Sequence, residues 1–247
     1  MKSENIVKNT PSIHEGSLIL VNAEHPYQAG SIQLSPVKPC CGQVLLEDQA
    51  ARALMELLGR TDPDGELICV SGYRPHQEQV DLYAKSLKEN GEEFTRKYVA
   101  RPGCSEHECG LAVDMGLSQD DLDFIRPSFP GHGTAQTFRE EAAKSGFIER
   151  YIEEKTKLTG IAAEEWHFRY VGLPHSLIMA STKYCLEEYL DFLKDYPFSS
   201  SPLYFEGWTI GYVPFEEGLP EFDPDEEVVI SGNNCGGWII TQAGQTG

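Results

Sequence analysis

The sequence predicts an α+β fold that carries a small C-terminal β appendage. Short strand-like runs and helical stretches follow one another without the regular alternation that builds a parallel sheet. Hydrophobic residues make up 40% of the 247 residues, which is enough to fill a core and excludes a disordered chain. Beyond Lys194 the sequence has nine acidic residues and no Lys or Arg, and this change in composition indicates a separate C-terminal unit.

Four stretches have the periodicity of amphipathic helices. In residues 47–60, Ala50, Leu54 and Leu57 recur at the spacing that places side chains on one helix face. Further helices are predicted at residues 76–90, 134–146 and 174–194. Glycine ends the first two of these stretches, and Pro174 begins the third.

Short β-rich runs predict buried strands at residues 66–71, 110–115 and 166–171. After a linker-like segment at residues 199–202, the runs LYFEGWTIGYV, EEVVISG and GGWIIT are separated by Gly, Pro and Asn. We therefore expect two domains with a boundary near Ser201. Residues 1–200 form the main domain, and residues 201–247 form an acidic, β-rich appendage.

The composition also excludes classes of partner. The formal net charge is −19, whereas nucleic acids and anionic membranes require a basic surface. No segment has the run of about 18 apolar residues that a membrane helix needs, so we expect no membrane insertion and a cytoplasmic location. The seven cysteines show no regular framework and are expected to be reduced. The adjacent Cys40 and Cys41 are poor candidates to bridge each other.

Two segments combine metal-binding residue types. The stretch CSEHECGLAVDM places His107 on a loop and Asp114 on the strand that follows, and the later segment EEWH adds Glu164 and His167. Residues three apart on an ideal strand point to opposite faces, so Glu164 is expected in the turn before the strand that carries His167. Two imidazoles and a carboxylate with one open position are typical of catalytic zinc sites. The second carboxylate suits a general base.

A third segment, SGYR, follows the first predicted strand. The guanidinium of Arg74 is a fixed cation whose planar donors suit a carboxylate or a developing oxyanion. The simpler interpretation of Arg74 is a surface salt bridge. Similarly, Cys104, His107 and Cys109 could form half of a structural zinc knuckle, although the sequence lacks a second paired motif.

Together these segments resemble a known enzyme family. The pattern SxHxxGxAxD from Ser105 to Asp114, the later ExxH from Glu164 to His167 and the preceding SGYR are similar to the D-alanyl-D-alanine metallopeptidases. This family includes the VanY, VanX and VanXY enzymes of vancomycin resistance, and it shares a fold with the hedgehog signalling domain. The likeness covers about residues 40–195. It implies a hedgehog/D,D-peptidase-like antiparallel sheet flanked by helices.

The resemblance also implies roles for individual residues. One zinc ion per chain would be bound by His107, Asp114 and His167, with Glu164 as the general base and Arg74 on the scissile carbonyl. Aromatic residues beside strands are more often core residues than substrate contacts, and glutamine and serine also occur as helix-face and capping residues. The candidate substrate-binding residues are Gln79, Ser105, Ser71, Tyr73 and Trp166.

The implied reaction is hydrolysis of D-Ala-D-Ala type bonds in peptidoglycan precursors, as a carboxypeptidase, a dipeptidase or both. The expected substrates are free D-Ala-D-Ala and the nucleotide-linked muramyl pentapeptide, and such activity would contribute to glycopeptide resistance. Residues 124–134 are the candidate loop for substrate selectivity. Two alternatives remain open: an L,D-carboxypeptidase that trims tetrapeptides, and a non-catalytic zinc-bearing binding module. The presence of Glu164 counts against the second, because a binding module needs no base.

Overall fold

The computed structural model describes residues 11–28, 30, 32–37, 44–119, 122–223 and 226–244. They form two compact units. One consists of the described residues of Leu20–Phe192, and the other of those of Met1–Ile19 and Leu193–Gly247. The N-terminal residues therefore belong with the C-terminal ones, a long-range association that composition does not indicate.

Helices and strands alternate irregularly along the chain. The elements are β1 (Leu34–Pro36), β2 (Leu45–Glu47), α1 (Asp48–Thr61), β3 (Leu67–Ser71), α2 (His76–Tyr98), β4 (Ala112–Leu117), α3 (Gly133–Ala142), β5 (Phe147–Tyr151), α4 (Thr156–Thr159), β6 (Glu164–Tyr170), α5 (His175–Thr182), α6 (Leu186–Leu193), β7 (Leu203–Phe205), β8 (Trp208–Pro214), β9 (Val228–Gly232) and β10 (Gly237–Ala243). Helices are mixed with antiparallel sheets, which confirms the predicted α+β class.

The larger unit is organised around a four-stranded antiparallel sheet in the order β3-β4-β6-β5. Phe168 of β6 packs against Phe138 of α3, with 5.0 Å between ring centroids, and against Phe129, at 5.3 Å. Through these aromatic contacts, α3 and the preceding loop pack against one face of the sheet. Because side chains alternate along a strand, His167 points to the opposite face. The functional side chains described below lie on that opposite face.

Several predicted elements are confirmed, and others differ. The helices predicted at 47–60 and 134–146 correspond to α1 and α3, and the first two predicted strands correspond to β3 and β4. The helix predicted to stop at residue 90 instead resumes beyond Gly91, which kinks α2 with a φ of 82°. Strand β5 was not predicted, and β6 begins at Glu164, two residues before the predicted start.

The single helix predicted at 174–194 is wrong, because two helices, α5 and α6, occupy this stretch. Lys183 ends α5 in the left-handed conformation with a φ of 59°. The carboxylate of Glu188 then accepts a hydrogen bond of 2.9 Å from the backbone N–H of Cys185, just before α6. A glutamate that bonds back to the residue before a helix is a recognised helix-start signal. Hydrophobic periodicity alone did not reveal this break.

The smaller unit contains a second four-stranded antiparallel sheet, in the order β7-β8-β10-β9. Val213, Trp238 and Ile240 form its buried core. The indole N–H of Trp238 donates a hydrogen bond of 2.8 Å to the carbonyl of Pro11. The backbone N–H of Gly232 likewise donates to the carbonyl of Glu15, at 2.7 Å. These bonds explain why residues 11–19 belong to this unit.

The cysteines differ from the expectation of reduced thiols. Cys69 is disulfide-bonded, so the expectation is wrong for this residue, whose pairing the spacing of cysteines in the sequence does not reveal. Three other cysteines carry free thiols: Cys104, Cys109 and Cys185. The interpretation of Cys40 and Cys41 concerns positions outside the described residues. In the part of the chain that the structure describes, no helix is long and apolar enough to cross a bilayer.

Gly110 lies at the junction between the 3₁₀ helix Glu106–Cys109 and β4, and its backbone is left-handed with a φ of 72°. A Cβ at this position would lie 3.1 Å from the backbone nitrogen of Glu47. We therefore expect Gly110→Ala to lower the free energy of unfolding by about 1–2 kcal/mol, the cost of a left-handed non-glycine residue.

The matched control is Gly59→Ala within α1, where a Cβ would meet no atom within 4 Å. This substitution is expected to raise the free energy of unfolding by up to about 1 kcal/mol, because alanine favours a helix interior. Chemical denaturation of both variants provides the measurement. Equal effects of the two substitutions would contradict the backbone argument.

Candidate metal and substrate site

Two neighbouring strands and the loop before one of them bring three residues of metal-binding types together. Asp114 of β4 lies directly opposite His167 of β6 in the antiparallel register. His107 lies in the 3₁₀ helix that precedes β4, and the left-handed Gly110 ends that helix. All three side chains are buried, and their candidate ligand atoms lie within 4.8 Å of one another.

The hydrogen bonds of the two imidazoles indicate which nitrogen atoms face the common centre. Nε2 of His107 lies 3.2 Å from one carboxylate oxygen of Asp114, and Nδ1 of His167 lies 2.9 Å from the other. The second nitrogen of His107, Nδ1, lies 2.8 Å from the carbonyl oxygen of Gly72. A hydrogen bond from the ring nitrogen that does not bind the metal fixes the orientation of a metal-binding histidine. Two imidazoles and one carboxylate are a donor set that fits zinc or a similar divalent metal.

Glu164 lies beside these residues, with its carboxylate 3.8 Å from Nδ1 of His167. The expectation that Glu164 precedes the strand is wrong, because it is the first residue of β6. Between the pairs Glu149–Phe168 and Tyr151–Glu164, the register advances two residues along β5 and four along β6. This irregularity interrupts the strand alternation, so that Glu164 and His167 approach each other despite their spacing of three.

The buried carboxylates have opposite electrostatic environments. Burial raises the pKa of the Glu164 carboxyl to about 8, although His167 opposes the shift. Burial acts in the same direction on Asp114, but there His107 and His167 hold the pKa well below its usual range. Asp114 is therefore charged and suited to binding a cation. Glu164 is suited to exchanging a proton near neutral pH.

Arg74 lies next to this centre and is held by neutral side chains. Its guanidinium donates hydrogen bonds of 2.8 Å to the amide oxygen of Gln79 and 2.7 Å to the hydroxyl of Ser71. The amide nitrogen of Gln79 donates in turn to the carbonyl of Ala100, at 2.7 Å. Ser71 pairs with Asp114 across β3 and β4, which brings the SGYR segment to the centre. Because both side-chain partners are neutral, the charge of Arg74 is available to an anionic group.

A cavity of about 390 Å³ opens onto these side chains. It reaches from Arg74 along α2 as far as Asn90, and Phe124, a 71% exposed residue of the candidate selectivity loop, contributes to its wall. Of the candidate substrate-binding residues, Tyr73 lies outside the cavity lining. The lining includes Ser71, Gln79, Ser105 and Trp166, together with the five residues from which metal binding and catalysis were expected: Arg74, His107, Asp114, Glu164 and His167.

Two cavity residues that lie next to His167 were missed in the sequence. Tyr151 lies with its ring centroid 4.9 Å from that of His167, and it was missed because β5 was not recognised as a strand. Glu106 lies with a carboxylate oxygen 3.4 Å from Nε2 of His167. An acidic residue in a polar loop is normally solvated, so only its position next to His107 could have drawn attention to it.

The structure does not support a zinc knuckle built from Cys104, His107 and Cys109. Among the described residues, the group that could hold a metal consists of His107, Asp114 and His167, and it includes neither cysteine. The thiol of the buried Cys109 donates to the backbone carbonyl of Glu106 at 2.9 Å. Cys109 is therefore a structural residue of the 3₁₀ helix.

Comparison with known proteins agrees with this geometry. The sequence model of the VanY family, described as D-alanyl-D-alanine carboxypeptidase, matches residues 43–173. The bifunctional D-Ala-D-Ala dipeptidase and D-Ala-D-Ala carboxypeptidase VanXYC of Enterococcus gallinarum is 42% identical over 182 residues, which are 72% of this chain and 95% of that protein.

Solved structures give the same result. The vancomycin resistance D,D-dipeptidase VanXYg, in complex with a D-Ala-D-Ala phosphinate analogue, matches with a TM-score of 0.90 and 40% identity over 94% of this chain and 95% of that one. A mutant of the D,D-pentapeptidase VanY from a VanB-type resistance cassette, in complex with Zn(II), matches with a TM-score of 0.61 and 30% identity over 70% of this chain and 98% of that one.

These matches confirm the resemblance inferred from the three motifs and the expected D,D-peptidase-like fold. The matched stretch of residues 43–173 contains all the residues that line the cavity. The site, the fold and the sequence therefore lead to one assignment. The chain belongs to the VanY family of D-alanyl-D-alanine carboxypeptidases, which are metallopeptidases.

Proposed function

We propose that this enzyme hydrolyses D-Ala-D-Ala type bonds at the ends of peptidoglycan precursors, with one zinc ion per chain. The observation that carries the proposal is the convergence of two imidazoles, two carboxylates and one guanidinium on a single cavity. The activities named for VanXYC and VanXYg support the choice of substrate. Loss of terminal D-Ala would leave fewer targets for a glycopeptide antibiotic, which connects the activity with resistance.

The residues that would hold zinc are His107 through Nε2, His167 through Nδ1 and Asp114 through its carboxylate. The Zn(II) complex of the VanY relative supports this metal over other divalent ions. When bound, zinc acts as a Lewis acid that lowers the pKa of water from about 15.7 towards 7 and polarises a carbonyl group.

The chain's own residues then account for proton transfer and charge stabilisation. Glu164 accepts a proton from the attacking water and delivers it to the nitrogen of the departing D-Ala, so that the products are an amine and a carboxylic acid. Arg74 donates hydrogen bonds to the oxyanion that develops on the scissile carbonyl. Ser71 and Gln79 hold the guanidinium in place, which reduces the reorganisation that the reaction requires.

The shape of the cavity favours peptides as well as the free dipeptide. Its lining runs along α2 from Gln79 to Asn90, a distance of about 16 Å at the helical rise per residue. An extended dipeptide spans about 7 Å, so the remaining length suits the residues that precede D-Ala-D-Ala in a longer precursor. Ser105 and Trp166 line the cavity and are proposed to contact substrate, whereas a contact with Tyr73 stays a prediction.

The substrates that we propose are free D-Ala-D-Ala and the nucleotide-linked muramyl pentapeptide. A cytoplasmic enzyme would meet both before export, although the cytoplasmic location itself stays a prediction. Acting on these precursors, the enzyme would need no membrane insertion and no nucleic acid partner.

The decisive experiment measures D-Ala release by the zinc-loaded protein from three substrates: the dipeptide, a stem pentapeptide that ends in D-Ala-D-Ala, and a stem tetrapeptide. We expect release from the dipeptide and the pentapeptide only. Release from the tetrapeptide alone would support an L,D-carboxypeptidase instead. Zinc binding without release from any substrate would support a non-catalytic binding module.

A further inference from the structure

Next to the candidate metal site, four charged side chains form a cluster in which three are fully buried and Glu187 is partly buried. One carboxylate oxygen of Glu106, Oε1, accepts hydrogen bonds of 2.9 Å from both Arg150 and Arg169. Arg150 also donates to the two carboxylate oxygens of Glu187 on α6, at 2.9 and 2.7 Å. The side chains of Glu106, Arg150 and Arg169 are fully buried. Two positive and two negative groups balance each other within the cluster.

The other oxygen of Glu106, Oε2, faces the site. It lies 3.4 Å from Nε2 of His167, whereas Nδ1 of the same ring faces Asp114 at 2.9 Å. Both neighbours of the ring are carboxylates, which can only accept hydrogen bonds, and a neutral imidazole has one proton to donate. With a metal held between Nδ1 and Asp114, Nδ1 must supply its lone pair, so the proton lies on Nε2 and faces Glu106.

We propose that Glu106 is a positioning residue that fixes the tautomer and the orientation of the His167 ring for metal binding through Nδ1. This inference rests on the proposed function, because it assumes that the site holds a metal. Arg150 and Arg169 hold Glu106, and Glu187 connects the cluster to α6. His107 is oriented by the carbonyl of Gly72, so the two histidines use different supports.

The opposing possibility is that the cluster only stabilises the fold. Substitution of Glu106 by glutamine separates the two roles, because an amide offers one acceptor oxygen and one donor nitrogen. Glutamine can satisfy either the arginines or the N–H of His167, but not both. Glu187→Gln is the matched control, since it removes a charge from the same cluster and Glu187 bonds to Arg150 rather than to His167.

The experiment measures zinc affinity by competition with a chelator for the wild type, Glu106→Gln and Glu187→Gln. We expect Glu106→Gln to weaken zinc binding by about 10- to 100-fold, the usual effect of losing a hydrogen bond to a metal-binding side chain. Glu187→Gln leaves His167 untouched and should change the affinity by less than about twofold. The visible absorption bands of the cobalt-substituted protein should shift only in Glu106→Gln. Equal losses in both variants, or unchanged affinity in Glu106→Gln, would overturn the proposal.

A measurement on the wild type tests the predicted tautomers even if Glu106→Gln does not fold. Nitrogen-15 spectra of the histidine-labelled, zinc-loaded protein should show two metal-bound rings in opposite tautomers. His107 should carry its proton on Nδ1, and His167 should carry its proton on Nε2. Two rings in the same tautomer would overturn the inference. A wild type that binds no zinc would instead refute the proposed function, so the two failures are distinguishable.

Discussion

Replacement of Glu164 by glutamine is expected to lower the turnover of D-Ala-D-Ala by about 100- to 10,000-fold, the usual contribution of a general acid–base group. The amide keeps nearly the same volume but cannot accept the proton of the attacking water. The ligand set of His107, Asp114 and His167 is unchanged, so zinc should remain bound. Steady-state kinetics together with metal analysis of the purified variant provide the measurement.

The adjacent residue supplies a matched control. Glu165 is exposed, whereas Glu164 is buried beside His167, so Glu165→Gln makes the same substitution on the same strand without altering the cavity. We expect this control to retain wild-type turnover. A Glu164→Gln variant with full activity, or equal losses in both variants, would contradict the role of Glu164.

Replacement of Arg74 by alanine is expected to lower turnover by about 100- to 1000-fold, the usual cost of removing one oxyanion donor. Arg74 contributes charge to the cavity and is held by Ser71 and Gln79. Arg74→Lys keeps the charge but cannot reproduce both hydrogen bonds of the planar guanidinium, so we expect it to recover only part of the activity.

The control for arginine truncation is Arg52→Ala on α1, since the side chain of Arg52 is 61% exposed and pairs with Asp48 on the surface. Both alanine variants should keep the circular dichroism spectrum of the wild type. Unchanged kinetics in Arg74→Ala would remove this residue from the site.

The sequence indicated which side chains would converge on one centre, because these residues lie in short local motifs. His107 and Asp114 are separated by a single tight turn, and Glu164 and His167 share one strand. Asp114 and His167 are distant in sequence, but they meet because β4 and β6 are adjacent strands in direct register. The motifs identified the candidate residues, and the pairing of β4 with β6 brings their side chains together.

The remaining features depend on tertiary structure that local patterns do not encode. The alternation of side chains along an ideal strand predicts that Glu164 lies in a turn. Instead, Glu164 lies on β6, because the register between β5 and β6 is irregular. Glu106 has the sequence context of a solvated loop residue, and only the packing of Arg150 and Arg169 around it reveals a buried carboxylate. The attachment of residues 11–19 to the C-terminal sheet is a contact between the two ends of the chain.

The most direct test of the central claim is the release of D-Ala from D-Ala-D-Ala by the wild-type protein before chelation, after removal of the metal and after addition of zinc. We predict release before chelation, its loss in the metal-free protein and its recovery when zinc is restored. Release that is unaffected by complete removal of the metal would contradict the account. The absence of release from a folded, zinc-loaded protein would contradict it equally.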